Sequence, residues 1–157
     1  MEARRADPIR LIALRLRQGE LRQVVQQPGV NEAVRVTVQY HDGRHPNQVA
    51  TLTRGHGPQC TLLVVYDKPN KDVRFSYAIP LERYLALLGT LRRAHFDALD
   101  DQPDAPYFGV DLWLVERASG SFYHDVVIQP ESATGLHGEI VIAIRAQLKE
   151  ALRPVVA

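Results

Sequence analysis

The stretch from Val34 to Ile79 constrains the fold more than any other part of the chain. Four short runs of strand-forming residues, Val34 to Tyr40, Gln48 to Arg54, Cys60 to Tyr66 and Val73 to Ile79, are separated by clusters rich in Gly, Pro, Asn and Asp. Connections this short join antiparallel neighbours, since a parallel crossover consumes about a dozen residues or more. The first run, Val34-Arg-Val-Thr-Val-Gln-Tyr40, alternates apolar and polar residues, the period-two pattern of a strand with one face on the core and the other on water. Cys60 to Tyr66 is apolar on both sides and is expected to be a central strand, covered twice or flanked by better-paired neighbours.

Helical periodicity occupies the flanks. Asp7-Pro8 reads as a cap followed by proline at the first helical position, and predicts a helix from Pro8 to Gln27 that ends at Gln27-Pro28-Gly29. Its apolar residues form two stripes, Leu11/Leu14/Leu21/Val25 and Ile9/Ile12/Ala13/Leu16/Val24, where a surface helix needs one. The extra stripe implies a second body, another helix or a partner subunit; residues 1–7 ahead of it are expected to be disordered. Pro80 starts a second helix, Leu81 to about Leu99. After an acidic, proline-bearing loop, Tyr107 to Glu116 and Ser121 to Gln129 make a second hairpin, and Glu139 to Arg153 closes the chain as a third helix. The expected fold is a single α+β domain over residues 1–157, ordered α-β-β-β-β-α-β-β-α, with a mainly antiparallel sheet of five to six strands and helices packed on one face.

Hydrophobic residues make up 45% of the chain and charged ones 24%, which excludes a disordered tail or a fibre. The single cysteine, Cys60, allows no intramolecular disulfide and points to a reducing interior. The arginine-broken N-terminus does not read as a secretory signal, and the longest apolar runs, Leu62 to Tyr66 and Ile140 to Ile144, are too short to span a bilayer. The expectation is a cytoplasmic, bacterial protein without a membrane partner.

Candidate sites are few. His41, His45 and His56 lie in or beside the turns that flank the second strand, so one end of the sheet could gather them as metal ligands; this supports an alternative reading as a small enzyme or a ligand- or metal-binding domain. The spacing of His41 and His45 fixes no geometry across a turn containing Gly43 and Pro46, and loop histidines are ordinarily solvated. His56 and Cys60 could pair as base and nucleophile, but Cys60 alternates with Leu62, Val64 and Tyr66 and so reads as a buried strand residue. Arg92 and His95 fall within the apolar arc of the second helix. No phosphate loop, Gly-x-Gly-x-x-Gly or Gly-x-Ser-x-Gly occurs, and no cofactor is expected. The arginines of the first helix are spread round it and are not interleaved with aromatic residues, which argues against nucleic acid as a partner.

The net charge of +1 conceals a segregation: residues 1 to 96 carry +7, while residues 97 to 131 carry −7. Asp97, Asp100, Asp101 and Asp104 open this acidic segment. Together with Leu11, Leu14, Leu21 and Val25 they form the candidate interface of a non-enzymatic interaction module that self-associates as a homodimer and could also take another protein. The element order resembles that of the small dimeric chaperones of type III secretion systems, whose α-β-β-β-α-β-β fold binds an unfolded effector segment. This sequence has one more strand and lacks their acidity, and the resemblance assigns no residue a role.

Overall fold

A computed structural model describes residues 7–68, 73–103 and 109–152. Helices α1 (Asp7–Arg15) and α2 (Leu21–Val24) precede four strands, β1 (Glu32–Gln39), β2 (Gln48–Arg54), β3 (Gln59–Tyr66) and β4 (Val73–Pro80). Helix α3 (Leu81–Arg93) and a 3-10 turn (Phe96–Ala98) lead to β5 (Leu112–Ser119) and β6 (Phe122–Ile128), and α4 (Gly135–Gln147) follows. The six strands form one antiparallel sheet in the order β4-β3-β2-β1-β5-β6. This is the single-sheet α+β architecture read from the sequence.

Residues directly opposed across a ladder share a face. Val34, Val36 and Val38 of β1 stand with Ala50, Leu52, Leu62, Val64 and Val115 on the face covered by α3 and α4, where Tyr84, Leu87, Leu91, Ile140 and Ile144 complete the largest core. The other face is not open, as helices confined to one face would leave it. Ile9, Ile12 and Ala13 of α1, with Leu16 just after it, bury Val49, Val65, Leu114 and Val127, and Leu21 of α2 and the following Val25 pack against Ala33 and Ala118. Strand β1 is therefore buried on both faces: Arg35 is 2% exposed and Thr37 fully buried, where the alternation predicted contact with water. Central strands are β1 and β2; β3 lies one strand from the edge, with Thr61 exposed and Leu63 half-buried on the α1 side.

Three helix boundaries also differ. The continuous helix expected from Pro8 to Gln27 breaks after α1, where Arg17 (φ 58°) and Gly19 (φ 67°) take the left-handed conformation, and resumes only as α2. The second helix stops at Arg93, because His95 turns left-handed (φ 53°) and swings Phe96 into the core, edge-on to His124. The third starts early, at Gly135, and ends at Gln147. The connection from α2 to β1 also passes close to the β2–β3 turn: a Cβ on Gly55 would lie 2.3 Å from the Gly29 carbonyl oxygen, so only glycine fits there. The N-terminal disorder expected for residues 1–7 meets the described residues only at Asp7, which already belongs to α1. No helix of the described residues is long and apolar enough to cross a membrane.

Candidate functional site

The break between α1 and α2 is explained by the residue beneath it. Arg35, on the α1 side of β1, donates from Nε to Thr51 Oγ1 (2.9 Å), from Nη1 to the Gly19 carbonyl (2.7 Å) and from Nη2 to the Gln18 carbonyl (3.2 Å). In an uninterrupted helix those two carbonyls would be taken by N–H groups one turn on. A buried guanidinium without acceptors costs several kcal/mol, roughly, and the left-handed turn supplies two. Burial lowers the Arg35 pKa against the opposing charge of Glu116.

Glu116 faces Arg35 across the β1–β5 ladder and is itself buried. Burial raises its pKa over the influence of Arg35 and of the Tyr123 hydroxyl, which donates to Oε1 at 2.6 Å. The same hydroxyl lies 3.2 Å from Asp125 Oδ2, and burial together with Glu116 pushes the Tyr123 pKa upward. Arg10 of α1 closes the group by an ion pair with Asp125, and the Arg22 guanidinium sits 4.6 Å above the Tyr123 ring. Over this charged floor lies a cavity of about 250 Å³, with Ala13, Leu14, Gly19 and Leu21 on its apolar side and Arg10, Arg35, Glu116 and Tyr123 on its polar side. The arrangement can exchange hydrogen bonds with a polar group entering it and can seat an apolar side chain against the α1–α2 wall.

Leu11 and Leu14 project outward from α1, 58% and 56% exposed, and Leu14 stands at the cavity rim. Leu21 and Val25, expected on the same stripe, are core residues under α2, because the break rotates α2 away from the line of α1. The acidic segment is likewise dispersed. Asp97 pairs with Arg117 (2.9 Å), which also holds Glu32 (3.1 Å). Asp100 is exposed, and its carbonyl accepts from His137 Nε2 at 2.8 Å. Asp101 Oδ1 accepts the Val127 amide of β6 (2.8 Å), and Asp104 lies outside the described residues. Further along, Asp111 is held by His41 Nδ1 (2.8 Å) and by Arg44, and Asp125 by Arg10. Burial opposes the charge of Asp111, but the bonds from Arg44 and His41 outweigh it and hold its pKa at about 2. Asp111 and Asp125 thus meet cations of the basic first portion, Arg44 and Arg10, while Asp97 is paired within the acidic segment itself; β5 lies beside β1 and β6 beyond it.

The three histidines do not share a site. His41 and His45 lie at the β1–β2 turn, one bonded to Asp111 and the other edge-on to Tyr40. His56 lies beyond the opposite end of β2, its Nδ1 3.5 Å from Asn31 Nδ2. Seven strand residues separate the two ends, roughly 20 Å or more. Among the described residues no group of three His, Cys, Asp or Glu side chains is placed to hold a metal ion. Cys60 is 2% exposed in the α3 core, where burial raises its thiol pKa, and it does not meet the exposed His56. Arg92 and His95 line a second cavity, about 220 Å³, beside Phe96 and Asp97. Sequence pattern does not single out Arg35, Glu116 and Tyr123; the available signal is a guanidinium amid valines on a strand, β1, that lies at the centre of the sheet. No protein-family model matches the chain, and no curated protein matches its sequence.

Proposed function

We propose that this chain is a non-enzymatic protein–protein interaction module of the bacterial cytoplasm, and that it self-associates through the outer face of α1. The observation that supports this reading is the projecting pair Leu11 and Leu14 beside a cavity with an apolar wall. In a two-fold contact one patch meets itself, so a helix that carries both a knob and a hole can supply both halves. Leu14 of one copy would enter the cavity of the other against Ala13 and Leu21, with Arg10, Glu20 and Arg22 as a charged rim. The acidic segment has no part in this contact, since most of its described carboxylates are engaged inside the chain. A reducing compartment suits the buried, unpaired Cys60.

Light scattering after gel filtration, at tens of micromolar, tests the reading. The wild type should run as an oligomer, and Leu14→Glu should halve the particle mass while leaving the circular dichroism spectrum unchanged, because Leu14 is exposed and the fold does not depend on it. A monomeric wild type at that concentration overturns it.

A further inference from the structure

The two edges of the sheet are finished in opposite ways. Along β6 the segment from Leu99 to Gln102 acts as a clasp. Val127 N donates to Asp101 Oδ1 (2.8 Å), Gln102 N to the Val127 carbonyl (3.0 Å), Gln129 N to Gln102 Oε1 (2.8 Å) and His124 Nε2 to the Leu99 carbonyl (2.7 Å). Along β4, by contrast, no described segment pairs with the outer edge.

Which groups that edge offers follows from the ladder. Leu81 N donates to the Pro58 carbonyl (3.2 Å), continuing a register in which Gln59 faces Pro80 and Cys60 faces Ile79. Val73, Phe75, Tyr77 and Ile79 therefore exchange bonds with β3, while Arg74, Ser76 and Ala78 turn their N–H and C=O groups outward. All three are exposed. Native edges of this length are usually blunted by a bulge, an inward charge or a central proline; β4 carries one arginine near its start and a proline at its last position. On the helix side Phe75, 43% exposed, stacks on Tyr77 at 6.5 Å and meets Tyr66 edge-on at 5.9 Å.

We propose that β4 pairs antiparallel with β4 of a second copy about a two-fold axis at Ser76, continuing the sheet across the dimer. The proposal rests on the self-association reading but places a contact on a surface separate from α1. The side chains select the register. With the axis at Ser76, Ser76 faces its own counterpart and Arg74 faces Ala78 of the second copy, both as hydrogen-bonded pairs. Phe75 then faces Tyr77 of the second copy at the closer, non-hydrogen-bonded position, where aromatic cross-strand pairs are favourable. An axis at Arg74 would oppose two guanidinium groups, and one at Phe75 would leave them diagonal neighbours. An axis at Tyr77 would set Pro80, which has no N–H, against Arg74. An unrelated extended peptide gains nothing from this self-complementarity.

Ser76→Cys provides the test. Facing Cα atoms of a hydrogen-bonded antiparallel pair lie about 5.5 Å apart, within disulfide reach. Mild oxidation should convert Ser76→Cys to a species of doubled mass on a non-reducing denaturing gel, and should do so equally in Leu14→Glu protein. Arg74→Cys and the wild type, whose only thiol is buried, should stay single, whereas an equimolar mixture of Arg74→Cys and Ala78→Cys should cross-link. Ser76→Pro, which deletes an outward N–H and no bond to β3, should abolish this contact with an unchanged circular dichroism spectrum. Failure of Ser76→Cys to cross-link while the wild type is oligomeric overturns the β4 pairing and leaves the α1 contact. A monomeric wild type overturns both, and equal cross-linking of Ser76→Cys and Arg74→Cys overturns the register.

Discussion

The two faces of the sheet bury the same strands under different chemistry. Towards α3 and α4, Val34, Leu62, Val64, Val115 and Ile144 meet in a continuous apolar layer. Towards α1 and α2, the apolar clusters flank a buried polar row in which Arg35, Thr51 and Glu116 lie side by side on neighbouring strands, with Thr37 next along β1. The difference teaches what each face can specify. Apolar contacts are non-directional, so the α3/α4 face fixes burial and approximate distance. The guanidinium of Arg35 demands acceptors at particular points and so dictates the path of the chain above it, including the turn at Gln18 and Gly19.

Substitutions on the polar face should expose this contrast most strongly at Arg35. Arg35→Ala leaves Thr51 Oγ1, two inward carbonyls and the Glu116 carboxylate without their cation, and should lower unfolding free energy by roughly 3–5 kcal/mol in a denaturant titration, the range for breaking a buried charge pair. A cost below that of an ordinary surface mutation would mean that the α1–α2 turn forms without Arg35. The opposite sign is expected two residues away. The buried hydroxyl of Thr37 has no hydrogen-bond partner among the described residues, so Thr37→Val should stabilise the fold by about 1 kcal/mol, measured the same way. A loss of stability there would show that the hydroxyl is satisfied.

The smallest effect belongs to the surface pair outside both cores. The Asp111 pKa of about 2 lies below its ordinary 3.8, so binding Arg44 and His41 favours the folded state above the ordinary value, and this contribution disappears as pH falls through about 2. Arg44→Ala should therefore destabilise slightly at neutral pH, less in high salt, and the difference from the wild type should vanish at the acid end of a pH series. A difference that persisted there would assign Arg44 a role beyond its charge.

Local pattern reads β1 to β4 and β6 well, whereas β5 runs over Leu112–Ser119 in place of the expected Tyr107 to Glu116, of which residues 107–108 lie outside the described residues. The bounds of β2 coincide with those inferred from its residues, and the hairpins and the amphipathic α3 follow from turn residues and three-four spacing that act over a few positions. The candidate site was less legible. Leu11 and Leu14 are recognisable as a surplus stripe, but Leu21 and Val25 belong to it only if the helix is continuous. Alternation in β1 likewise marked Arg35 and Thr37 as water-facing, because period two distinguishes the two faces without revealing what covers the second.

The sequence by itself determined the element types, the antiparallel hairpins and the imbalance of charge between its two portions, since each is a property of neighbouring residues. Only the tertiary structure decided where those charges went and where the first helix broke. Arg35 finds its acceptors at residues 18, 19 and 51 and its counter-charge at Glu116, and Asp125 and Asp111 find their cations at Arg10 and Arg44. The physical reason is that a buried charge must be compensated by whatever the fold brings within a few ångströms, and residues so distant along the chain become neighbours only when the sheet has formed.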